Sequence, residues 1–299
     1  MSFAPVPSKA SSGATEVVPL RFEDVTQDGR LALEALPNAF GTLLWRDRLP
    51  AHPLVRTLRE RGIIAILTRF VLEGRPGPFS ALTTLHTEAN IRIAFSGDGR
   101  LVLDAWGDAH GPIGTTYGTT ARSGETTLAG RILAEHTFTR LFGAPGTRRV
   151  SRHDVADLAA EIGERPASPP AESTVVLPES AQPLDQAPGL DPFRITFGIV
   201  HTDSNQHVNS LVYLRVFEEG ALRRFAELGR PTAVLARTLD IAYRKPCLAG
   251  QTMRLLQQAF VQDGKLGVAA CLVPDVPGAP EGVVAAGLAH TFARMTFEP

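Results

Sequence analysis

The apolar positions between Leu211 and Leu228 step by threes and fours. Leu211, Leu214, Phe217, Ala221, Phe225 and Leu228 make one stripe, which is the period of an amphipathic helix. Arg215, Glu219, Arg223 and Glu227 lie four apart on another face, where opposite charges can pair. Gly229 supplies a stop signal. Gly220 sits mid-helix, at a cost of about 1 kcal/mol relative to Ala, which close approach to a sheet would explain. Elsewhere the pattern shifts to strand-like alternation. "ALTTLHTEANIRIAF" and "RLVLDAW" carry it in the first half, and "AVLARTLDIAYR", "TMRLLQQAFVQ" and "KLGVAACLV" in the second. The turn signals "SGDGR" (Ser96–Arg100) and "QDGK" (Gln262–Lys265) predict hairpins. Each half opens on a strand-like segment, Val18–Val25 and Phe193–Val200. In the first half Pro37–Asp47 and His52–Phe70 are the helix candidates. A strand, a helix and an antiparallel meander make an α+β layout, with the helix on one sheet face.

Residues 163–192 interrupt this order. Prolines recur and large apolar residues are scarce, so the segment is expected to run extended and solvated. The organisation read from the chain is therefore a disordered tail over 1–17, a first repeat over 18–162, a linker over 163–192 and a second repeat over 193–299. A His-Thr-Phe-x-Arg pattern occurs near the end of each half, at His136–Arg140 and His290–Arg294. Its placement points to a duplication.

Composition narrows the function classes. The chain has 299 residues, 43% of them hydrophobic, enough for one large domain or two ordinary ones. Its net charge is −1 without a basic block, which argues against a nucleic-acid partner. No apolar run approaches the length of a membrane span, and the N-terminus lacks a signal-peptide pattern. Cys247 and Cys271 are the only cysteines, so no disulfide framework or metal site is expected, and a cytoplasmic location fits.

The chemistry concentrates just before the helix. Asp203, Asn205 and His207 lie at i, i+2 and i+4, a spacing that can aim three side chains into one volume. The first amides of a helix lack intrahelical partners and carry partial positive charge, so they can stabilise an oxyanion. Asp203 can serve as general base or nucleophile, and His207 can share proton transfer or polarise a carbonyl. Asn205 can orient either the water or the imidazole. Together these parts suit acyl transfer to water. The plain alternative is that Asp, Asn and Ser here cap the helix and build its turn.

"TDSNQHVNSLVYLRVFEE" (Thr202–Glu219) resembles the active-site approach of hot-dog-fold thioesterases, above all the acyl-ACP thioesterases with Asp-x-Asn-Gln-His-Val-Asn before the helix. "TLDIAYRKPC" (Thr238–Cys247) is similar to a second family strand, and Phe22–Leu44 more loosely to the opening of the first repeat. The resemblance implies a double (tandem) hot-dog, each sheet wrapped around a central helix, the two sheets edge to edge and the acyl chain between the repeats. It implies Asp203, Asn205 and His207 as catalytic residues, with Val208 and Asn209 bringing helix amides to the carbonyl. Cys247 is a further catalytic candidate or a small buried hydrophobe. Arg244 and Lys245 are candidates for phosphate or pantetheine contacts, or are solvated. His86 and Glu88 are the best polar candidates of a first repeat that lacks Asp-x-Asn-x-His. No cofactor is expected beyond the phosphopantetheine of the CoA or ACP substrate. The chain is expected to be a monomeric pseudo-dimer or a homodimer, working in lipid or fatty-acid biosynthesis. One departure stands out, because Pro246 occupies the place of a family acid.

The leading expectation is thus hydrolysis of an acyl-ACP or acyl-CoA thioester. A dehydratase is disfavoured by the four-residue Asp203-to-His207 spacing. An acyltransferase would use another acceptor in place of water. A non-catalytic acyl-binding protein is the alternative that Pro246 motivates.

Overall fold

Alternation carries the first part of the chain into a sheet whose inner face meets a helix. The computed structural model describes residues 13–75, 77–79, 81, 83–112, 126–140, 143–275 and 286–299. Contacts divide the chain into two units, Met1–Pro169 and Pro170–Pro299.

In the first unit β1 (Ala14–Pro19) leads to α1 (Ala35–Phe40), a π-helical stretch (Gly41–Arg48), α2 (Leu49–Ala51) and α3 (Pro53–Glu60). Then come β2 (Ile63–Gly74), β3 (Thr84–Ser96), β4 (Leu101–Pro112), β5 (Thr126–Arg140) and the short β6 (Gly163–Arg165). The antiparallel order is β1-β3-β4-β5-β2. The edge of β3 is shared, with β1 covering Thr84–Ala89 and β6 adding parallel to Ala94–Ser96. Leu36, Phe40 and Leu44 are fully buried. A Cβ at Gly107 would stand 2.6 Å from the Phe40 ring, so glycine there lets α1 settle onto β4. The helix expected over His52–Phe70 stops at Glu60. Gly62 turns the chain at φ +72 and the β-branched Ile63, Ile64 and Ile66 enter β2.

The second unit has the same connectivity. Three short strands, β7 (Gln182–Pro183), β8 (Gly189–Leu190) and β9 (Ile195–Thr196), precede α4 (Ser210–Glu227). After it come β10 (Leu235–Tyr243), β11 (Thr252–Gln262), β12 (Lys265–Pro274) and β13 (Thr291–Glu298). β7, β8 and β9 all pair with one edge of β11, and the order continues β11-β12-β13-β10. The two units thus repeat one topology. α4 buries Tyr213, Leu214, Phe217, Gly220, Ala221 and Phe225. A Cβ at Gly220 would stand 2.2 Å from Leu255 Cδ1, the close approach anticipated for that glycine. Both expected hairpins form, β3–β4 across Ser96–Arg100 and β11–β12 across Asp263–Gly264.

Three expectations need correction. The 163–192 segment is largely exposed, as expected of a linker, but it is tied down at points along its length rather than running free. Arg165 inserts between Asp104 and Glu135, at 3.1 and 2.6 Å. Asp185 and Asp191, both buried, receive Arg224 and Arg223 of α4. Polar anchors and a strand edge hold it, together with Ala171, Val175 and Leu190, which pack against the core around Leu256 and Phe292. The tail assigned to 1–17 yields Ala14–Val17 to β1, and residues 1–12 lie outside the described residues. The ladder of charges on α4 keeps the Glu219–Arg223 pair as spaced, but Arg223 and Glu227 have closer partners off it. Arg223 turns to Asp191 at 2.8 Å and reaches Glu219 only at 3.9 Å, while Glu227 pairs with Arg224. No helix among the described residues is long and apolar enough to cross a membrane.

Candidate active site

Thr202 and Val208 form an antiparallel bridge that closes a tight loop before α4. Asp203 N–H donates to His207 O at 3.0 Å, and Gln206 N–H donates to Asp203 O at 2.9 Å. Gln206 has φ +65. This is a three-residue hairpin loop, a turn followed by a left-handed residue. Asp203 and His207 face each other at its base and Asn205 projects at its tip. Asp203 Oδ1 accepts the Asn205 N–H at 2.8 Å. Asp203 is half-buried, whereas Asn205 and His207 are exposed. Neither of those two side chains has a hydrogen-bond partner among the described residues. A left-handed conformation in a non-glycine residue is strained.

The first unit contains the same turn with different side chains. Val25 and Leu31 form its bridge, Thr26 N–H donates to Arg30 O at 2.8 Å, and Gly29 N–H donates to Thr26 O at 2.9 Å, with Gly29 at φ +80. Flanking bonds repeat as well. Ala32 N–H meets Asp24 O as Asn209 N–H meets His201 O, each at 2.9 Å. Thr26, Asp28, Gly29 and Arg30 therefore stand where Asp203, Asn205, Gln206 and His207 do. In this copy the side chains satisfy one another. Thr26 Oγ1 donates to Asp28 at 2.5 Å, and Arg30 Nε donates to Asp28 at 2.7 Å.

The amides of Val208 and Asn209, expected to face a substrate carbonyl, are already engaged. Val208 N–H donates to Cys247 O and Asn209 N–H to His201 O, both at 2.9 Å. Asn209 is the N-cap instead, its Oδ1 accepting the Leu211 N–H at 2.9 Å. The N–H of Ser210, first residue of α4, has no acceptor among the described residues. Cys247 is fully buried and burial pushes its thiol up to about 11, so almost no thiolate exists near neutral pH. Its place is structural. Arg244 meets Glu172 at 3.1 Å, and the Lys245 side chain is exposed with no hydrogen bond or ion pair among the described residues. His86 and Glu88 point outward from β3 and line a shallow depression of about 400 Å³ with Thr15, Val17 and His110.

Two residues not singled out by spacing stand directly behind the turn. Tyr213 Oη accepts the Cys247 N–H at 2.9 Å, and His290 Nδ1 lies 3.6 Å from Cys247 Sγ and 3.1 Å from Pro246 O. In the sequence His290 is marked only by the repeated pentapeptide. That pattern does not mark equivalent positions. His136 lies inside β5 opposite Leu67, whereas His290 precedes β13, whose Thr291 faces Tyr243. Topology and the approach turn carry the duplication.

No family model and no curated protein matches the sequence. Solved structures do match in fold. An acyl-ACP thioesterase from Bacteroides thetaiotaomicron aligns over 96% of this chain and 98% of its own, at 14% identity and a TM-score of 0.58. A 12:0-ACP thioesterase from Umbellularia californica aligns over 96% and 94%, at 16% identity and 0.57. A Lactobacillus plantarum protein described as an oleoyl thioesterase aligns over 97% of each chain, at 12% identity and 0.61. The chain has the α+β hot-dog fold seen in acyl-ACP thioesterases.

Proposed function

We propose that this protein hydrolyses the thioester of an acyl chain carried on ACP or coenzyme A. The observation that carries the reading is the duplicated turn. One copy locks its side chains into an internal ion pair, and the other leaves Asn205 and His207 unpaired beside Asp203. A polar turn without internal pairing keeps its groups available for a substrate.

The chemistry follows from the groups present. One oxygen of Asp203 holds the Asn205 amide, and the other is left to take a proton from water. The water oxygen bonds to the thioester carbon. The resulting oxyanion is met by the Ser210 N–H at the positive end of α4. His207 supplies a proton to the sulfur as the C–S bond breaks. Asn205 orients the water, and Lys245, with Arg244 beside it, meets the pantetheine phosphate. Cys247 takes no covalent part.

Free-thiol release from a panel of acyl-ACP and acyl-CoA substrates tests this. Asp203→Asn keeps the bond to the Asn205 amide but removes the base, so kcat is expected to fall ~10²–10⁴-fold. Absence of turnover by the wild type across the panel would sink the reading. Stable unhydrolysed acyl-ACP complexes in native mass spectrometry would instead favour an acyl-binding role, the alternative that Pro246 motivates.

A further inference from the structure

The contacts behind the turn form a chain of their own. Val208, next to His207, donates its N–H to Cys247 O at 2.9 Å. The Cys247 N–H donates to Tyr213 Oη at 2.9 Å, with both residues buried. On the other side, His290 Nδ1 lies 3.1 Å from Pro246 O and 3.6 Å from Cys247 Sγ. A carbonyl only accepts, so the contact with Pro246 places the proton on Nδ1. His290 O in turn accepts the N–H groups of Arg244 and Lys245, at 2.9 and 3.0 Å. The Tyr213 ring is braced by Phe197 and Tyr243, with centroids 6.1 and 5.4 Å away. The segment from Arg244 to Cys247 is therefore held from two sides, and among the described residues it alone accepts the Val208 amide.

We propose that Tyr213 and His290 are positioning residues that fix the His207 side of the reactive turn by clamping Pro246–Cys247. The first unit supports this by contrast. Leu36 stands at the position of Tyr213 by the register of the shared turn, and the turn there is closed by its own ion pair. The reactive copy lacks that internal closure and takes its anchor from behind. The kinetic part of the proposal rests on the thioesterase reading; the anchoring part does not.

Three variants test it. Tyr213→Phe keeps the braced ring and removes the acceptor of the Cys247 amide. His290→Ala removes the donor to Pro246, and His290→Asn restores a donor near the Nδ1 position. Amide exchange at Val208, followed by NMR, is expected to speed up about tenfold in Tyr213→Phe and His290→Ala, the scale of one lost hydrogen bond. It should stay near wild type in His290→Asn. On the best thioester, kcat should fall ~10–100-fold, the scale of a small misplacement, with KM little changed and His290→Asn largely recovered. Unchanged Val208 exchange in Tyr213→Phe and His290→Ala would overturn the proposal. So would acceleration shared equally by amides of β11 and β12, which would mean general loosening. If the wild type turns over no thioester, the functional reading fails while the exchange rates still decide the clamp.

Discussion

His136 should make the first unit sensitive to mild acid. It lies in β5, 4% exposed, and its Nε2 accepts the Trp45 indole N–H at 3.2 Å. Burial is the largest influence and lowers its pKa from 6.5 to about 4, against the opposing effects of backbone contact with Leu103 and the Glu135 charge. Above pH 6.5 the imidazole is neutral in both folded and unfolded chains, so it adds no pH dependence there. As pH falls below 6.5 the unfolded chain takes up a proton that the folded chain refuses, and stability drops until about pH 4, where the folded form protonates too. That gap corresponds to about 3 kcal/mol. Protonation would also remove the acceptor for Trp45. His136→Gln cannot titrate, and its amide oxygen can still receive the indole N–H. Both tryptophans, Trp45 and Trp106, belong to the first unit, so their fluorescence in urea titrations reports on it. Relative to wild type, the variant should gain about 2–3 kcal/mol on going from about pH 7.5 to about pH 4.5. A stability difference that stays constant over that window refutes the argument.

Gly220→Ala should destabilise the second unit by about 1–3 kcal/mol through overlap with Leu255, despite a helix-propensity gain of about 1 kcal/mol; a more stable variant in urea would remove the close-approach explanation. Asp191→Asn should cost roughly 2 kcal/mol by leaving Arg223 without its buried partner, and cleavage by a broad protease should quicken within residues 182–191. Both cysteines should resist DTNB in the native chain near pH 8 and react fully in urea, since both are buried with thiols raised to about 11 and about 12; rapid native labelling of Cys247 would contradict its structural assignment. Grafting the first-unit turn by Asp203→Thr, Ser204→Gln, Asn205→Asp, Gln206→Gly and His207→Arg should abolish thiol release. The same graft should raise stability by ~1 kcal/mol from the relieved left-handed residue, and a destabilised graft would show that the two turns are not interchangeable.

α4 was legible because its burial follows local period. The stripe from Leu214 to Phe225 is buried as spaced, and Gly229 at φ +64 lies just past its end. Hairpin turns were legible for the same reason, since Asp263-Gly264 settles its geometry within two residues. What escaped was set by partners far along the chain. The anchoring of Asp185 and Asp191 depends on Arg224 and Arg223. Ile63–Phe70 reads as helix or strand until β5 supplies its neighbour. At the candidate site, spacing located the turn, but the Val208 and Asn209 amides are engaged by Cys247 and His201. No local pattern shows that.

The paired turns differ in what holds each of them in shape. In the first unit every device favours the turn itself. Glycine takes the left-handed position, and Arg30 and then Thr26 hold the Asp28 carboxyl down to about 2. Side chains committed in that way have nothing left for a ligand. In the second unit Asp203 still holds the Asn205 amide, but the other replacements leave the loop less tied to itself. A glutamine takes the left-handed position, and the side chains of Asn205 and His207 turn to solvent. A loop closed by backbone bonds without the side-chain ion pair depends more on its surroundings to hold one conformation. Here Cys247 supplies the bond to Val208, and Tyr213 and His290 hold Cys247. The free side chains and the buried clamp are thus two halves of one arrangement, in which rigidity is moved behind the turn and its front stays open, as the proposed hydrolysis requires.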